Sequence, residues 1–124
     1  MAINKVILIG NVGANPQINE FQGVMYATFS VATSERYTDR DGVTRENTEW
    51  HTVKANGRLG KLASDYIRKG TKLYVEGKIV SRKYTDKTGI ERVVTEIQAY
   101  AIQLLGAKES SAPVESDGDM PENL

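Results

Sequence analysis

The pattern of apolar and polar positions along the chain predicts strands separated by turns. Residues 6–10 form a short run rich in β-branched side chains that ends at glycine, which is typical of a buried strand. Residues 27–32 alternate apolar and polar side chains, so Phe29 and Val31 are expected to point into a core. Residues 48–56 alternate in the same way and predict a third strand.

After residue 56 the period changes to that of a helix. Apolar residues recur at the spacing of one helix face from 59 to 67, and Gly70 marks the expected C-terminal end. Tyr66 lies on this apolar face and is therefore expected in the core. Strand-like alternation then returns at 73–82 and 90–105.

Three strands, a helix and two further strands follow the order of the OB barrel. Five strands and one helix can be connected in several ways, and among these we predict an all-β fold with one helix: a five-stranded OB-fold barrel with the helix between strands 3 and 4. Asp41-Gly42 predicts a hairpin turn between the second and third strands, with a mobile tip. Residues 1–106 are expected to form this domain and residues 107–124 a disordered acidic tail. No internal repeat is apparent.

Composition excludes several kinds of site. The 124 residues contain no cysteine and one histidine, His51. Disulfides, thiol catalysis, iron–sulfur clusters and zinc sites built from cysteines or several histidines are therefore excluded, and we expect no metal and no cofactor. We find no signal peptide and no apolar run of membrane-spanning length, so a soluble, cytoplasmic protein that does not bind membranes is expected.

The net charge of zero conceals an uneven distribution. All 16 Lys and Arg residues lie in the first 108 positions together with 11 of the 16 acidic residues, which gives that part +5 and the last sixteen residues −5. A basic body suggests a polyanionic partner, although a chance scatter of surface charge is the alternative.

Catalytic constellations are absent from the sequence. One histidine in mid-strand, with no recognisable turn around a nucleophilic serine, gives no support for nucleophilic catalysis. A small OB-fold nuclease would need acidic residues clustered with a basic residue around a metal, and no such motif is present. We therefore expect no catalytic residues and no enzymatic activity.

Aromatic residues lie next to cations at three places, as single-stranded nucleic-acid binding requires. Stacking on a flat ring tolerates any base, and cations neutralise the phosphates. The alternative for Trp50 and Tyr84 is that they pack into the core. His51 is expected to form a hydrogen bond in a buried or interface position. The three groups are Trp50 with Lys54 and Asn56, Tyr37 with Arg36 and Arg40, and Tyr84 with Arg82, Lys83 and Lys87.

Several segments in register closely resemble the bacterial-type single-stranded DNA-binding protein family, over about residues 3–105. The resemblance implies an OB fold, usually a homotetramer, that coats single-stranded DNA without sequence preference in replication, recombination and repair. It implies stacking by Trp50, Tyr37 and Tyr84, and phosphate contacts by Lys5, Arg36, Arg58, Lys69, Arg82 and Lys83. The segments that carry it are 4–11, 32–35, 48–51, 62–70, 74–77 and 82–86, with the turn at Gly89.

Two departures from the family stand out. Asn56 occupies a position where the family often has phenylalanine, so we expect binding to depend more on charge and less on stacking. The family commonly ends in an acidic stretch and an apolar tip with a final phenylalanine, which docks onto replication and repair enzymes. Here the matching residues are Asp117, Asp119, Met120 and Pro121, and the final aromatic is missing.

The missing aromatic leaves two interpretations of the tail: weak partner docking, or a solvated tail that competes with DNA for the basic body. A rival for the whole chain is an OB module that acts mainly in protein interactions, with weak affinity for DNA. Loss of the aromatic at Asn56 favours that rival, and the retained Trp50, Tyr37 and Tyr84 count against it.

Overall fold

The computed structural model describes residues 1–106, which form six strands and one helix. The predicted tail, with Asp117, Asp119, Met120 and Pro121, lies outside the described residues. The elements are β1 (Val6–Val12), β2 (Gln17–Phe21), β3 (Val24–Thr38), β4 (Thr44–Asn56), α1 (Arg58–Tyr66), β5 (Lys72–Thr85) and β6 (Glu91–Leu105).

Five of the strands close into a barrel. The hydrogen-bonded order is β1-β5-β6-β4-β3, and β1 returns to pair with β3 through Asn11↔Ala32 and Val12↔Val31. All pairings are antiparallel except the short parallel contact between β4 and β6. Helix α1 lies between the third and fourth barrel strands, β4 and β5, and packs against β3, β4 and β6. The predicted OB-fold barrel is confirmed.

Strand β2 was not predicted from the sequence. It forms a hairpin with β3 through Gln22 and Gly23, which have φ values of 51° and 80°. All five β2 residues are exposed, so no alternation of buried and exposed positions marks the strand in the sequence. Backbone pairing to β3, and not burial of side chains, holds β2 on the barrel.

The hairpin of β3 and β4 extends well beyond the barrel. Its register runs from Tyr26↔Asn56 to Thr38↔Thr44, so the polar stretch around the predicted turn is mostly paired strand. Gly42 in the tip has a φ of 80°, which confirms a turn at Asp41-Gly42. The mobility of the tip stays a prediction.

The core follows the alternation of the strands. Phe29 and Val31 on β3 are buried, as expected, and so are Val53 and Ala55 on β4. Fourteen apolar residues form one cluster: Val12, Ala27, Phe29, Val31, Val53, Ala55, Leu62, Ala63, Ile67, Leu73, Val75, Ile97, Ala99 and Ile102.

The helix is shorter than its apolar periodicity suggests. It ends at Tyr66, because Ile67 adopts an extended conformation and is fully buried. The Arg68 guanidinium donates hydrogen bonds to the carbonyls of Ser64 and Ile67 at 3.0 and 2.7 Å, which satisfies acceptors at the helix end. Tyr66 is 46% exposed, so the expectation that it lies in the core is wrong. In the described part of the chain, no helix is long and apolar enough to cross a membrane.

Candidate nucleic-acid interface

Trp50 lies on the outside of the barrel. Its side chain is 58% exposed, whereas Val53 and Ala55, which point to the other side of β4, are fully buried. Its ring lies over Gly13, where an added Cβ would be 2.5 Å from Cζ3 and 3.0 Å from Cη2. The alternative that Trp50 packs into the core is therefore wrong, and Gly13 leaves the space that the ring occupies.

Two of the predicted phosphate contacts share one carboxylate. Arg82 Nε and Nη2 each lie 3.2 Å from a carboxylate oxygen of Glu96, and Lys54 Nζ lies 3.8 Å from Glu96 Oε2. Glu96 is 7% exposed, whereas both cations reach solvent. The group keeps one net positive charge, and Arg82 is held in two hydrogen bonds. Lys54 is the more loosely held cation.

These contacts connect β4, β6 and β5 on one outer surface. Glu96 on β6 contacts Lys54, which points to the same side of β4 as Trp50. Glu96 also contacts Arg82, which points to the same side of β5 as Tyr84. Tyr84 is 42% exposed, so the alternative of core packing is wrong for it too. We define Trp50, Lys54, Arg82 and Tyr84 as the outer face.

Tyr37 does not belong to the outer face. Trp50 pairs with Ala32, and Tyr37 lies five residues further along β3, so alternation places it on the opposite side of the hairpin. That opposite side also carries His51, whose Nε2 lies 2.9 Å from Thr33 Oγ1, in agreement with the expected hydrogen-bonding role. Tyr37 is 47% exposed. The three predicted stacking residues are thus all accessible, but on two surfaces.

The other predicted contacts are distributed over the barrel. Lys5, just before β1, forms an ion pair of 2.7 Å with Glu76 of β5. The hydrogen bond between them raises the pKa of Lys5 and lowers the pKa of Glu76. The remaining residues are exposed: Arg36 on β3, Asn56 at the end of β4, Arg58 at the start of α1, Lys69 after α1, Lys83 on β5 and Lys87 in the β5–β6 turn.

The β5–β6 turn contains the most strongly shifted carboxyl group. Hydrogen bonds from the Thr88 hydroxyl, at 2.7 Å, and from Arg92 Nε, at 2.8 Å, lower the pKa of Asp86 to about 2. In the β3–β4 turn, Arg45 Nε lowers the pKa of Asp39 in the same way, at 2.7 Å. Both aspartates therefore carry their charge well into the acidic range.

The contribution of Asp86 to the turn should persist to low pH. Its pKa is depressed in the folded chain, so the stabilisation is complete above about pH 4 and is lost as the pH falls towards 2. In a titration followed by carboxyl-carbon NMR, we expect Asp86 to have a midpoint of about 2. The variant Arg92→Gln should raise that midpoint towards 3.8, and an unchanged midpoint would contradict the role of the ion pair.

Comparisons with known proteins place these features in a family. The model of the "Single-strand binding protein family" matches residues 3–105. A "Single-stranded DNA-binding protein" of Xylella fastidiosa is 46% identical over 97% of this chain and 74% of its own length. The corresponding protein of Neisseria meningitidis is 42% identical over 90% of this chain, which spans 65% of that relative.

Solved structures agree with the sequence comparisons. The single-stranded DNA-binding protein of Plasmodium falciparum in complex with single-stranded DNA superposes with a TM-score of 0.78, at 32% identity over 85% of this chain and 97% of its own. A single-stranded DNA-binding protein of Thermus aquaticus gives a TM-score of 0.73, at 28% identity over 86% of this chain and 52% of its own. These relatives are named as binding proteins, which agrees with the expectation that the chain is not an enzyme. The chain belongs to the single-strand binding protein family.

Proposed function

We propose that the chain binds single-stranded DNA without sequence preference and protects it in replication, recombination and repair. Residues 1–106 are the binding domain, and residues 107–124 are an acidic tail that either docks weakly onto replication enzymes or competes with DNA. The protein acts in the cytoplasm, at the nucleoid and replication fork. The relatives that share this fold are named for single-stranded DNA binding.

The exposed Trp50 ring carries the proposal. A large aromatic side chain that is 58% exposed, on the same outer face as the cations Lys54 and Arg82, is the combination that stacks bases and neutralises phosphates. Because a stacking surface and a cation read no base edges, the outer face fits any sequence. Duplex DNA keeps its bases stacked and paired, so the ring has no base face to contact there.

A direct test measures discrimination between single and double strands. We expect labelled oligo-dT to bind saturably and to be displaced by unlabelled oligo-dT, while blunt duplex of equal length competes poorly. The logarithm of the binding constant should fall linearly with the logarithm of salt concentration, with a slope of about −0.7 for each phosphate neutralised. Equal competition by duplex, or no binding at low salt, would overturn the proposal and favour a protein-interaction module.

We also propose that the chain assembles as a homotetramer. Ile7 and Ile9 on β1 are 55% and 54% exposed, and Tyr100 on β6 is 53% exposed. Strand β1 pairs with β5 from Val6 onwards but meets β3 only at Asn11 and Val12. In the described part of the chain, one edge of β1 is therefore available to a second copy, beside an exposed apolar surface.

Light scattering after gel filtration tests the assembly. We expect a mass about four times the 13.7 kDa of the chain. The variant Ile9→Asp places a charge on the apolar surface and should shift the protein to smaller species. Val93→Asp changes a similarly exposed residue, 62% exposed, on the β5–β6 hairpin and serves as the control. A tetramer that survives Ile9→Asp, or a monomeric unsubstituted protein, would contradict this surface as the interface.

A further inference from the structure

Two hairpin tips of this chain are built from a repeated stretch of sequence. Residues 36–45 read Arg-Tyr-Thr-Asp-Arg-Asp-Gly-Val-Thr-Arg, and residues 83–92 read Lys-Tyr-Thr-Asp-Lys-Thr-Gly-Ile-Glu-Arg. Tyr, Thr, Asp, Gly and the final Arg recur in register, and the first and fifth positions are cations in both. The expectation that the chain contains no internal repeat is therefore wrong at this scale.

The β3–β4 tip is held together by the carboxylate of Asp39. Its Oδ1 accepts hydrogen bonds from the backbone N–H groups of Asp41 and Val43, at 2.9 and 3.0 Å. Its Oδ2 accepts a hydrogen bond from Arg45 Nε at 2.7 Å. The backbone turn closes through the N–H of Gly42, which donates to the carbonyl of Asp39 at 3.0 Å.

The β5–β6 tip repeats this arrangement around Asp86. Oδ1 accepts hydrogen bonds from the backbone N–H groups of Thr88 and Ile90, at 2.9 and 3.0 Å, and Oδ2 accepts one from Arg92 Nε at 2.8 Å. The N–H of Gly89 donates to the carbonyl of Asp86 at 3.0 Å. The turn glycines of the two tips have φ values of 80° and 84°, so the two backbones match as well.

Each aspartate connects the tip to a tyrosine. Arg45, held by Asp39, pairs across the hairpin with Tyr37. Arg92, held by Asp86, pairs in the same way with Tyr84. Residues directly opposite in an antiparallel pair have Cβ atoms about 5 Å apart on the same face. The carboxylate therefore holds the arginine that lies directly opposite an exposed tyrosine at both tips.

We propose that Asp39 and Asp86 are positioning residues for single-stranded DNA, each holding its hairpin tip and cross-strand arginine so that the neighbouring tyrosine is placed to stack one unpaired base. This inference rests on the proposed function. A ring and a cation that are already ordered lose less conformational freedom on binding than mobile ones, which raises affinity. Tyr84 lies on the outer face and Tyr37 on the opposite side of the β3–β4 hairpin, so a strand that contacts both tyrosines meets the same arrangement twice.

The direction in which DNA affinity changes when a negative charge is removed distinguishes a positioning role from a purely electrostatic one. Asp39→Asn removes a negative charge, which by itself should strengthen the binding of a polyanion. If Asp39 positions Tyr37, the same variant should instead weaken oligo-dT binding by about three- to tenfold, part of the worth of one stacking contact. Asp41→Asn makes the same charge change in the same turn, and the carboxylate of Asp41 makes no hydrogen bond or ion pair with the described residues. This control should bind as tightly as the unsubstituted protein, or more tightly.

A double-mutant cycle shows whether Asp39 acts through the tyrosine. In the Tyr37→Ala background, adding Asp39→Asn should cause no further loss of affinity, because the ring that it positions is gone. Asp86→Asn and Tyr84→Ala form the equivalent cycle at the second tip. Thermal unfolding should show that each variant remains folded at the temperature of the binding measurement, since both tips lie outside the core cluster.

The outcomes distinguish this inference from the function on which it rests. If Asp39→Asn strengthens binding as Asp41→Asn does, or weakens it equally with and without Tyr37, the positioning role is overturned while single-stranded DNA binding stands. If the unsubstituted protein does not bind oligo-dT, the proposed function fails and the positioning role fails with it.

Discussion

Replacing Trp50 with alanine is expected to lower the affinity for oligo-dT by about 5- to 150-fold. That range corresponds to the roughly 1–3 kcal/mol that one base–aromatic stack contributes. Trp50 is the most exposed of the three predicted stacking residues, at 58% against 47% for Tyr37 and 42% for Tyr84, and its ring lies over Gly13 on the outer face. The measurement is equilibrium binding of labelled oligo-dT to the purified variant.

Two controls give the Trp50 result its meaning. Trp50→Phe keeps a smaller ring and should retain part of the affinity. Tyr66→Ala removes an aromatic that is 46% exposed on α1 and is not part of the outer face, and should leave binding unchanged. Because Trp50 is outside the core cluster, its removal should change the unfolding temperature little. Equal affinity of Trp50→Ala and the unsubstituted protein would show that this ring does not stack bases.

Adding a single methyl group at Gly13 should weaken binding almost as much. In Gly13→Ala the new Cβ would lie 2.5 Å from Trp50 Cζ3, far inside normal contact distance, so the ring has to move. The ring is the end of a side chain exposed to solvent, so the movement costs little folding stability. We expect about a fivefold or greater loss of affinity for oligo-dT, bounded by the loss in Trp50→Ala.

Trp50 emission reports the displacement directly. The emission maximum of free Gly13→Ala should differ from that of the unsubstituted protein, while far-UV circular dichroism stays the same. Ala14→Ser, a change at the exposed neighbouring residue, should alter neither emission nor affinity. If Gly13→Ala lowers affinity further in a Trp50→Ala background, the loss does not pass through the ring, and this account of Gly13 is wrong.

The barrel was predictable because the alternation of buried and exposed positions appears in the sequence as a periodic pattern of apolar residues. Strands β3 and β4 alternate buried and exposed residues, and α1 buries one apolar stripe, so the order of the elements matched an OB barrel. Because five strands and one helix can be connected in several ways, the resemblance to the family was needed to select this connectivity. Strand β2 was not predictable in this way, because all of its residues are exposed and it is held by backbone hydrogen bonds. Tyr66 was placed wrongly because the helix ends at that residue, and the fully buried Ile67 takes the core position.

The site was predictable as a set of residue types, but not as an arrangement. Aromatic rings next to cations are visible in the sequence, and Trp50 and Tyr84 do lie on one outer surface. The charge of Lys54 and Arg82 is partly cancelled by Glu96, which no local pattern shows because the three residues come from three strands. Gly13 was missed for the same reason, since its contact with Trp50 depends on how β1 approaches the β3–β4 hairpin.

The central claim is that the outer face stacks the bases of single-stranded DNA, and the intrinsic fluorescence of Trp50 tests it most directly. Trp50 is the only tryptophan in the chain, so any change in tryptophan emission comes from this ring. We predict strong, saturable quenching on titration with oligo-dT at low salt, weaker apparent affinity at moderate salt, and no quenching with duplex DNA. Absence of quenching by oligo-dT at both salt concentrations would contradict the claim.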